Sequence, residues 1–214
     1  MSKVLFVTPR LGRREGDPWF QPVRDAHEKV QGIDRRLISH DPENLAGFYQ
    51  EAFVTGLMEG FDYVLIVEDD EEPTPDIALR FLEVTKKYPS EGVFAGVKRL
   101  RQGPVYIPYV WIFKGVNNPP AINELPVKVQ QTHPNQSGPF PVIGGILCSP
   151  LMYSPTWLER QGIRFHGMNL LGPKDTMVWD SALSNDLWER RLRFIACPTI
   201  HVRHWDEKTR EVYA

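Results

Sequence analysis

The sequence predicts a single α/β domain with a mostly parallel sheet flanked by helices and a more irregular second half. Three observations carry this. The first hundred residues alternate short apolar runs with helical patterns, in the order strand, helix, strand, helix, strand, which favours a parallel sheet covered on both faces. The length, 214 residues, allows one sizeable core and not two full ones. Proline accounts for 19 residues, about 9% against an ordinary level of about 5%, so short elements and shaped loops are expected rather than a helix bundle.

Residues 4–7 form an apolar run rich in β-branched and aromatic side chains, a buried strand that Thr8-Pro9-Arg10 ends. Residues 11–24 are rich in Gly, Arg and Pro and read as a loop. Asp41-Pro42 opens a helix, with Asp as N-cap and Pro at the first helical position. Leu45, Tyr49, Ala52, Phe53 and Leu57 follow at helical spacing, and Gly60 stops it. Residues 63–67 are the second strand, 74–89 a helix with Ile77, Phe81 and Leu82 inward, and 93–97 the third strand. Beyond residue 100 the pattern changes. Strands are expected at 105–113, 127–131 and 143–148, separated by Pro, Asn and Gly. Ser154-Pro155 opens a short helix that Gly162 closes, residues 180–191 form an amphipathic helix, and a short strand at 194–196 precedes a polar tail.

Several classes are excluded by composition. With 25 basic and 27 acidic residues the net charge is −2, so no bulk field attracts nucleic acid or anionic membrane. Cys148 and Cys197 lie far apart with no CxxC pair, which argues against a disulfide framework and a zinc ribbon. The apolar run at the N-terminus is too short for a signal peptide. The longest uncharged stretch, 129–158, is broken by five prolines and by Gly138, Gly144 and Gly145, so no membrane segment is expected and a cytoplasmic location is the default.

The strongest chemical signal is the run Glu68-Asp69-Asp70-Glu71-Glu72 at the end of the second strand. In open α/β sheets ligands bind outside the carboxyl ends of strands. Carboxylates crowded there repel one another, and a hard divalent cation that brings substrate phosphates is their natural partner. A solvated acidic loop capping the next helix is the plainer alternative. A second signal is Val142-Ile143-Gly144-Gly145-Ile146-Leu147, where glycines let a ligand approach the backbone or simply mark a bulge.

The segment from Asn44 to Leu82, with GFDYVLIVEDDEEPTPD at Gly60 to Asp76, resembles the first half of inverting GT-A glycosyltransferases, those like family 2. The resemblance places Glu68-Asp69-Asp70 at the DXD motif, with Glu68 in place of its first Asp. It implies a Mn²⁺ or Mg²⁺ ligand at Asp70, and contacts of Glu68 and Asp69 with the nucleotide ribose or metal-bound water. Thr8, Pro9 and Arg10 then occupy the place of the nucleotide base. Gly144 and Gly145 resemble the acceptor-side strand. Val178-Trp179-Asp180 stands where the family has GED, which implies acceptor contact for Trp179 and a general-base role for Asp180, with Asp175 and Asp186 as competitors. Val202-Arg203-His204-Trp205 resembles the C-terminal segment whose His is a metal ligand, with His201 as the alternative.

Residues 1–100 would form the nucleotide-sugar half and 101–214 the acceptor half. The donor implied is a UDP- or GDP-sugar; the acceptor stays open among carbohydrate, lipid-linked sugar, protein and modified DNA base. Arg13 and Arg14 read as a solvated basic loop, although arginine suits bidentate phosphate contact. The resemblance also implies a tail, with Lys208 and Arg210, folded over the donor diphosphate. Two alternatives stand beside this reading: a metal-dependent phosphotransferase or nuclease, and a non-catalytic nucleotide-sugar-binding protein.

Overall fold

Twelve strands and six helices are present among the residues that the computed structural model describes, namely 2–10, 12–39, 45–102, 105–112, 130–131, 138–143, 145–147, 149–163 and 179–213. The strands are β1 (Val4–Pro9), β2 (Arg35–Ser39), β3 (Tyr63–Ile66), β4 (Glu71–Glu72), β5 (Val93–Gln102), β6 (Val105–Ile112), β7 (Gln130–Gln131), β8 (Phe140–Ile143), β9 (Gly145–Ile146), β10 (Leu151–Tyr153), β11 (Arg193–Asp206) and β12 (Glu211–Tyr213). The helices are α1 (Gly12–Glu15), α2 (Gln21–Glu28), α3 (Leu45–Met58), α4 (Ile77–Lys87), α5 (Pro155–Arg160) and α6 (Trp179–Glu189). Asp41, Pro42, Gly144, Cys148 and Asp175 lie outside the described residues.

The central sheet runs β12-β11-β5-β10-β3-β1-β2. β1 pairs in parallel with β2 and β3, and β11 pairs in parallel with β5. β10 inserts antiparallel between β3 and β5. Alternation along β1 divides the core: Leu5 and Val7 face one side with Phe53 of α3, Leu158 of α5 and Leu187 of α6. Val4 and Phe6 face the other with Ile77 and Phe81 of α4. Every residue of β1 is buried, as expected of a strand covered on both faces. The α/β class read from the sequence is the class observed. Among the described residues no helix is long and apolar enough to cross a membrane.

The strand expected at 143–148 is divided between β8 and β9, and β10, a three-residue strand too short to show a pattern, has no counterpart in the sequence reading. Three further segments differ, each for a physical reason. Residues 11–24 are not a plain loop: α1, a 3-10 turn at Pro18–Phe20 and the start of α2 occupy them. The Asp17 carboxylate accepts the Trp19 N–H and Pro18 fixes the first helical position, so the turn is capped. α2 buries only Val23 and His27, which leaves little apolar periodicity to read. β2 is half-exposed and carries Arg35 and Arg36, so it lacks the apolar run of a covered strand. The last strand does not stop at residue 196. β11 continues to Asp206 past a register shift between Ala196 and His201, where Pro198 interrupts the ladder. Ile200 and Val202 then turn inward while His201 and Arg203 are exposed.

Candidate active site

Extension of β11 builds the site. β3 ends at Ile66, and the chain turns over residues 68–71. Glu71 donates its N–H to the Glu68 carbonyl (3.1 Å), and the Glu71 Oε2 accepts the Glu68 N–H (3.1 Å). The turn delivers the chain into β4, which pairs antiparallel with β11 in the register His204 opposite Glu71 and Arg203 opposite Glu72. The Trp205 N–H bonds the Asp70 carbonyl (2.7 Å), and the Trp205 indole and Arg203 guanidinium both donate to the Glu72 carboxylate. This pairing sets His204 Nε2 3.6 Å from Asp70 Oδ2. His201 is exposed, opposite Val97 of β5.

Arg14 is the second cationic neighbour of the acidic run, and it is not solvated: its side chain is 13% exposed. One nitrogen, Nη1, reaches both Asp69 Oδ1 (2.5 Å) and Asp70 Oδ2 (3.1 Å), while Nε donates to Glu207 (3.0 Å). Burial opposes the Arg14 charge, but Asp70 and Asp69 outweigh it and hold its pKa above the ordinary value. Arg13 and Arg14 together hold the Glu207 carboxyl below its usual range. A cleft beside them is lined by Arg10, Arg14, Arg24, Phe20, Val23 and Asp69, among others. Arg10 pairs with Glu28 (3.5 Å), and the Arg10 N–H bonds the Ser39 carbonyl (2.7 Å).

Thr8 and Pro9 are buried at the end of β1. The Thr8 hydroxyl lies 3.2 Å from Nδ1 of His27, and Nε2 of His27 lies 2.7 Å from the Glu71 carbonyl. A carbonyl only accepts, so Nε2 carries the proton and Nδ1 accepts from Thr8. Burial lowers the His27 pKa to about 4, and the ring is neutral at pH 7. β1, α2 and β4 are thus tied together under the acidic turn.

The residues fit a hard divalent cation. Glu68, Asp70 and Glu71 offer carboxylate oxygens within 4.8 Å of one another. The 3.6 Å gap between His204 Nε2 and Asp70 Oδ2 is too long for a hydrogen bond. It suits two atoms sharing an ion with bonds of about 2.1 Å. Oxygen donors with one imidazole match Mn²⁺ or Mg²⁺ better than a thiophilic metal. Nδ1 of His204 is buried and meets no hydrogen-bond partner among the described residues, while the ring lies beside Tyr213 with centroids 5.8 Å apart.

Asp180 is the second residue and Trp179 the first of α6, which packs against β9, the strand that contains Gly145. In the same helix Ser184 accepts the Leu147 N–H (2.8 Å). Asp186 is buried and pairs with Arg190 (3.5 Å), which gives it a structural partner. Arg210 reaches Asp17 (2.6 Å), and Lys208 is exposed in the turn before β12. Sequence reasoning missed Glu71 and His27. The signal for Glu71 was strand alternation inside the acidic run, where Glu71 turns inward and Glu72 outward.

No family model matches the sequence, and no curated protein is similar to it in sequence. Solved structures are similar in fold. A197 from STIV superposes with a TM-score of 0.53 at 14% identity, over 100% of this chain and 93% of that one. TarS 1–349 of S. aureus in complex with UDP-GlcNAc gives 0.51 at 11% identity, over 94% of this chain and 57% of that one. CMP:2-keto-3-deoxy-manno-octonic acid synthetase complexed with CTP gives 0.50 at 14% identity, over 94% of this chain and 90% of that one. At such identities the likeness establishes a shared α/β fold, one on which UDP-GlcNAc and CTP complexes have been solved.

Proposed function

We propose that the chain is a metal-dependent glycosyltransferase that moves a sugar from a nucleotide-sugar donor, a UDP- or GDP-sugar, to an acceptor hydroxyl. The observation that carries this reading is the pairing of β4 with β11, which sets His204 Nε2 3.6 Å from Asp70 Oδ2 at the carboxyl end of β3. Asp70 and His204 would hold Mn²⁺ or Mg²⁺, which neutralises charge on a leaving nucleoside diphosphate. Glu68 and Asp69 meet the nucleotide side, and Thr8, Pro9 and Arg10 at the end of β1 border the base. Thr8 acts there through its backbone, because its hydroxyl is engaged by His27.

The acceptor lies on the side of α6 and β9, with Trp179, Gly144 and Gly145 shaping it. Asp180 takes the acceptor proton as the hydroxyl oxygen attacks the anomeric carbon, and a single displacement inverts the configuration. In this division residues 1–100 hold the donor, with His204 completing its metal site, and the rest of 101–214 holds the acceptor.

Thermal denaturation with a panel of nucleotides and nucleotide sugars, with and without Mn²⁺, tests this. A ligand at a hundred times its Kd stabilises the native state by about 2.7 kcal/mol, a rise of about 5–10 °C for a chain of this size. The rise is expected with Mn²⁺ in the wild type and absent in Asp70→Asn. An equal rise in that variant overturns the metal assignment. Asp180→Asn is expected to keep the donor-induced rise and to lower kcat about 10²-fold or more. Full turnover in that variant removes Asp180 as the base.

Nucleotidyl transfer is the second reading, favoured by the fold shared with the CTP-bound synthetase over 90% of that chain. The products separate the two: glycosyl transfer releases a nucleoside diphosphate, and nucleotidyl transfer from a nucleoside triphosphate releases pyrophosphate.

A further inference from the structure

Two cations compete for one oxygen at the tip of β3. Nη1 of Arg14 lies 3.1 Å from Asp70 Oδ2, and the same oxygen faces His204 Nε2 at 3.6 Å, across the gap that suits an ion. A guanidinium and a divalent cation on one carboxylate oxygen repel each other in a part-buried setting, so each weakens the other's hold on it. We infer that Arg14 is an exchangeable counter-ion: it neutralises Asp69 and Asp70 in the metal-free protein and gives up Asp70 to contact the donor diphosphate in the loaded one. This rests on the reading of Asp70 as a metal ligand.

Three features support a swing of the side chain alone. Arg24 donates Nη1 to the Arg14 carbonyl (2.8 Å) and Nη2 to the Asp17 carbonyl (3.1 Å), which pins the backbone of α1. Glu207 holds Nε of Arg14 at 3.0 Å and supplies a pivot that a departing Nη1 need not break. Arg10 and Arg24 stand beside Arg14 around a small cleft that Glu15 and Asp69 also line. A planar fork of donors matches phosphate oxygens, and a diphosphate repays the lost Asp70 contact. The exchange would keep the acidic turn neutralised before ligand arrives and make metal and donor bind together.

The test uses the full chain and measures Mn²⁺ binding by the electron paramagnetic resonance of free Mn²⁺, with UDP binding by calorimetry at saturating Mn²⁺. Arg14→Gln removes the competitor, so Mn²⁺ alone should bind about tenfold tighter than in the wild type. The same variant lacks the diphosphate contact, so UDP should bind about tenfold more weakly. Opposite signs from one substitution are the signature, because a merely structural arginine would weaken both. Arg14→Lys keeps a charge without the fork and should fall between on both measurements; it carries the test should Arg14→Gln not fold. Mn²⁺ affinity that depends on Asp70 but is unchanged or lower in the Arg14 variants overturns the exchange and leaves the metal assignment standing. Absence of Mn²⁺ binding in wild type and variants overturns both.

Discussion

Glu71 and Asp70 are consecutive residues of one acidic run and live in different surroundings. Glu71 is fully buried; its carboxylate closes its own turn on the Glu68 N–H, its carbonyl accepts from His27, and its backbone pairs with His204. Asp70 is half-buried and turns its carboxylate to Arg14 and His204. Local backbone makes the difference: Asp70 stands in the turn that follows β3, whereas Glu71 is the first residue of β4 and is paired with β11. A run of like charges is therefore not one unit. One end is fastened into the fold and the other is presented to cations, and the fastening gives the presented end its geometry.

The largest expected effect tests the fastened end through its neutral histidine. Burial lowers the His27 pKa to about 4, against about 6.5 in the unfolded chain. The unfolded state therefore binds the extra proton first as pH falls. Stability is complete above about pH 6.5 and declines as pH drops towards 4, by about 3 kcal/mol in total. Asp17, Asp206 and Glu207 are also held below their ordinary values, but they lose their contribution only as pH falls below their unfolded values near 4. Among the described groups with a shifted pKa, the interval from 6.5 to 4.5 thus belongs to His27. Urea denaturation at several pH values should show this slope in the wild type and a flatter one in His27→Gln. Equal slopes would mean that His27 is not the neutral tie.

A second, smaller effect compares the two acids directly. Glu71→Ala leaves the Glu68 N–H without its acceptor, at a cost of about 2 kcal/mol. Asp70→Asn keeps its shape and leaves Arg14 paired with Asp69 and Glu207, so folding should change less than in Glu71→Ala. Denaturation midpoints of the two variants check the order. If Asp70→Asn is the more damaging, the acid facing the cations is a structural member after all.

Outside residues 11–39 the first half of the chain was legible, because its strands are apolar runs and its helices carry apolar residues at helical spacing. Val4 to Val7, the strand starting at Tyr63 and the helix with Ile77 and Phe81 inward all lie where the pattern puts them. The acidic run was visible at a strand tip for the same reason. Legibility fails where a strand is exposed or interrupted. β11 past Pro198 alternates Ile200 and Val202 with His201 and Arg203, a period-2 pattern masked by the proline and by the polar side chains. That strand carries His204 to Asp70, so the reach between them rests on a pairing that no local pattern announces. Arg14 shows the same limit: a loop rich in Arg and Gly reads as solvated, and only the fold reveals carboxylates waiting 55 and 193 residues away.

The smallest expected effect concerns the outer fastening of α1 to the β11–β12 turn. Arg210 donates to Asp17 at 2.6 Å and lies over the Trp19 ring at 5.0 Å, and Trp19 in turn packs edge-on against Trp205. Both partners of the ion pair are substantially exposed, so solvent screens it and Arg210→Ala should cost less than about 1 kcal/mol. Asp17→Ala should cost more, because it also removes the cap on the Trp19 N–H, the main cause of the low Asp17 pKa. Salt separates the two contributions. The Arg210 loss should shrink towards zero at about 1 M NaCl, where the screening length is about 3 Å, while the cap loss should persist. An Arg210→Ala loss that salt leaves unchanged would assign the fastening to stacking on Trp19. A loss well above 1 kcal/mol would make this outer contact as firm as the Glu71 end, and the contrast between a fastened core turn and a lightly held strap would fall.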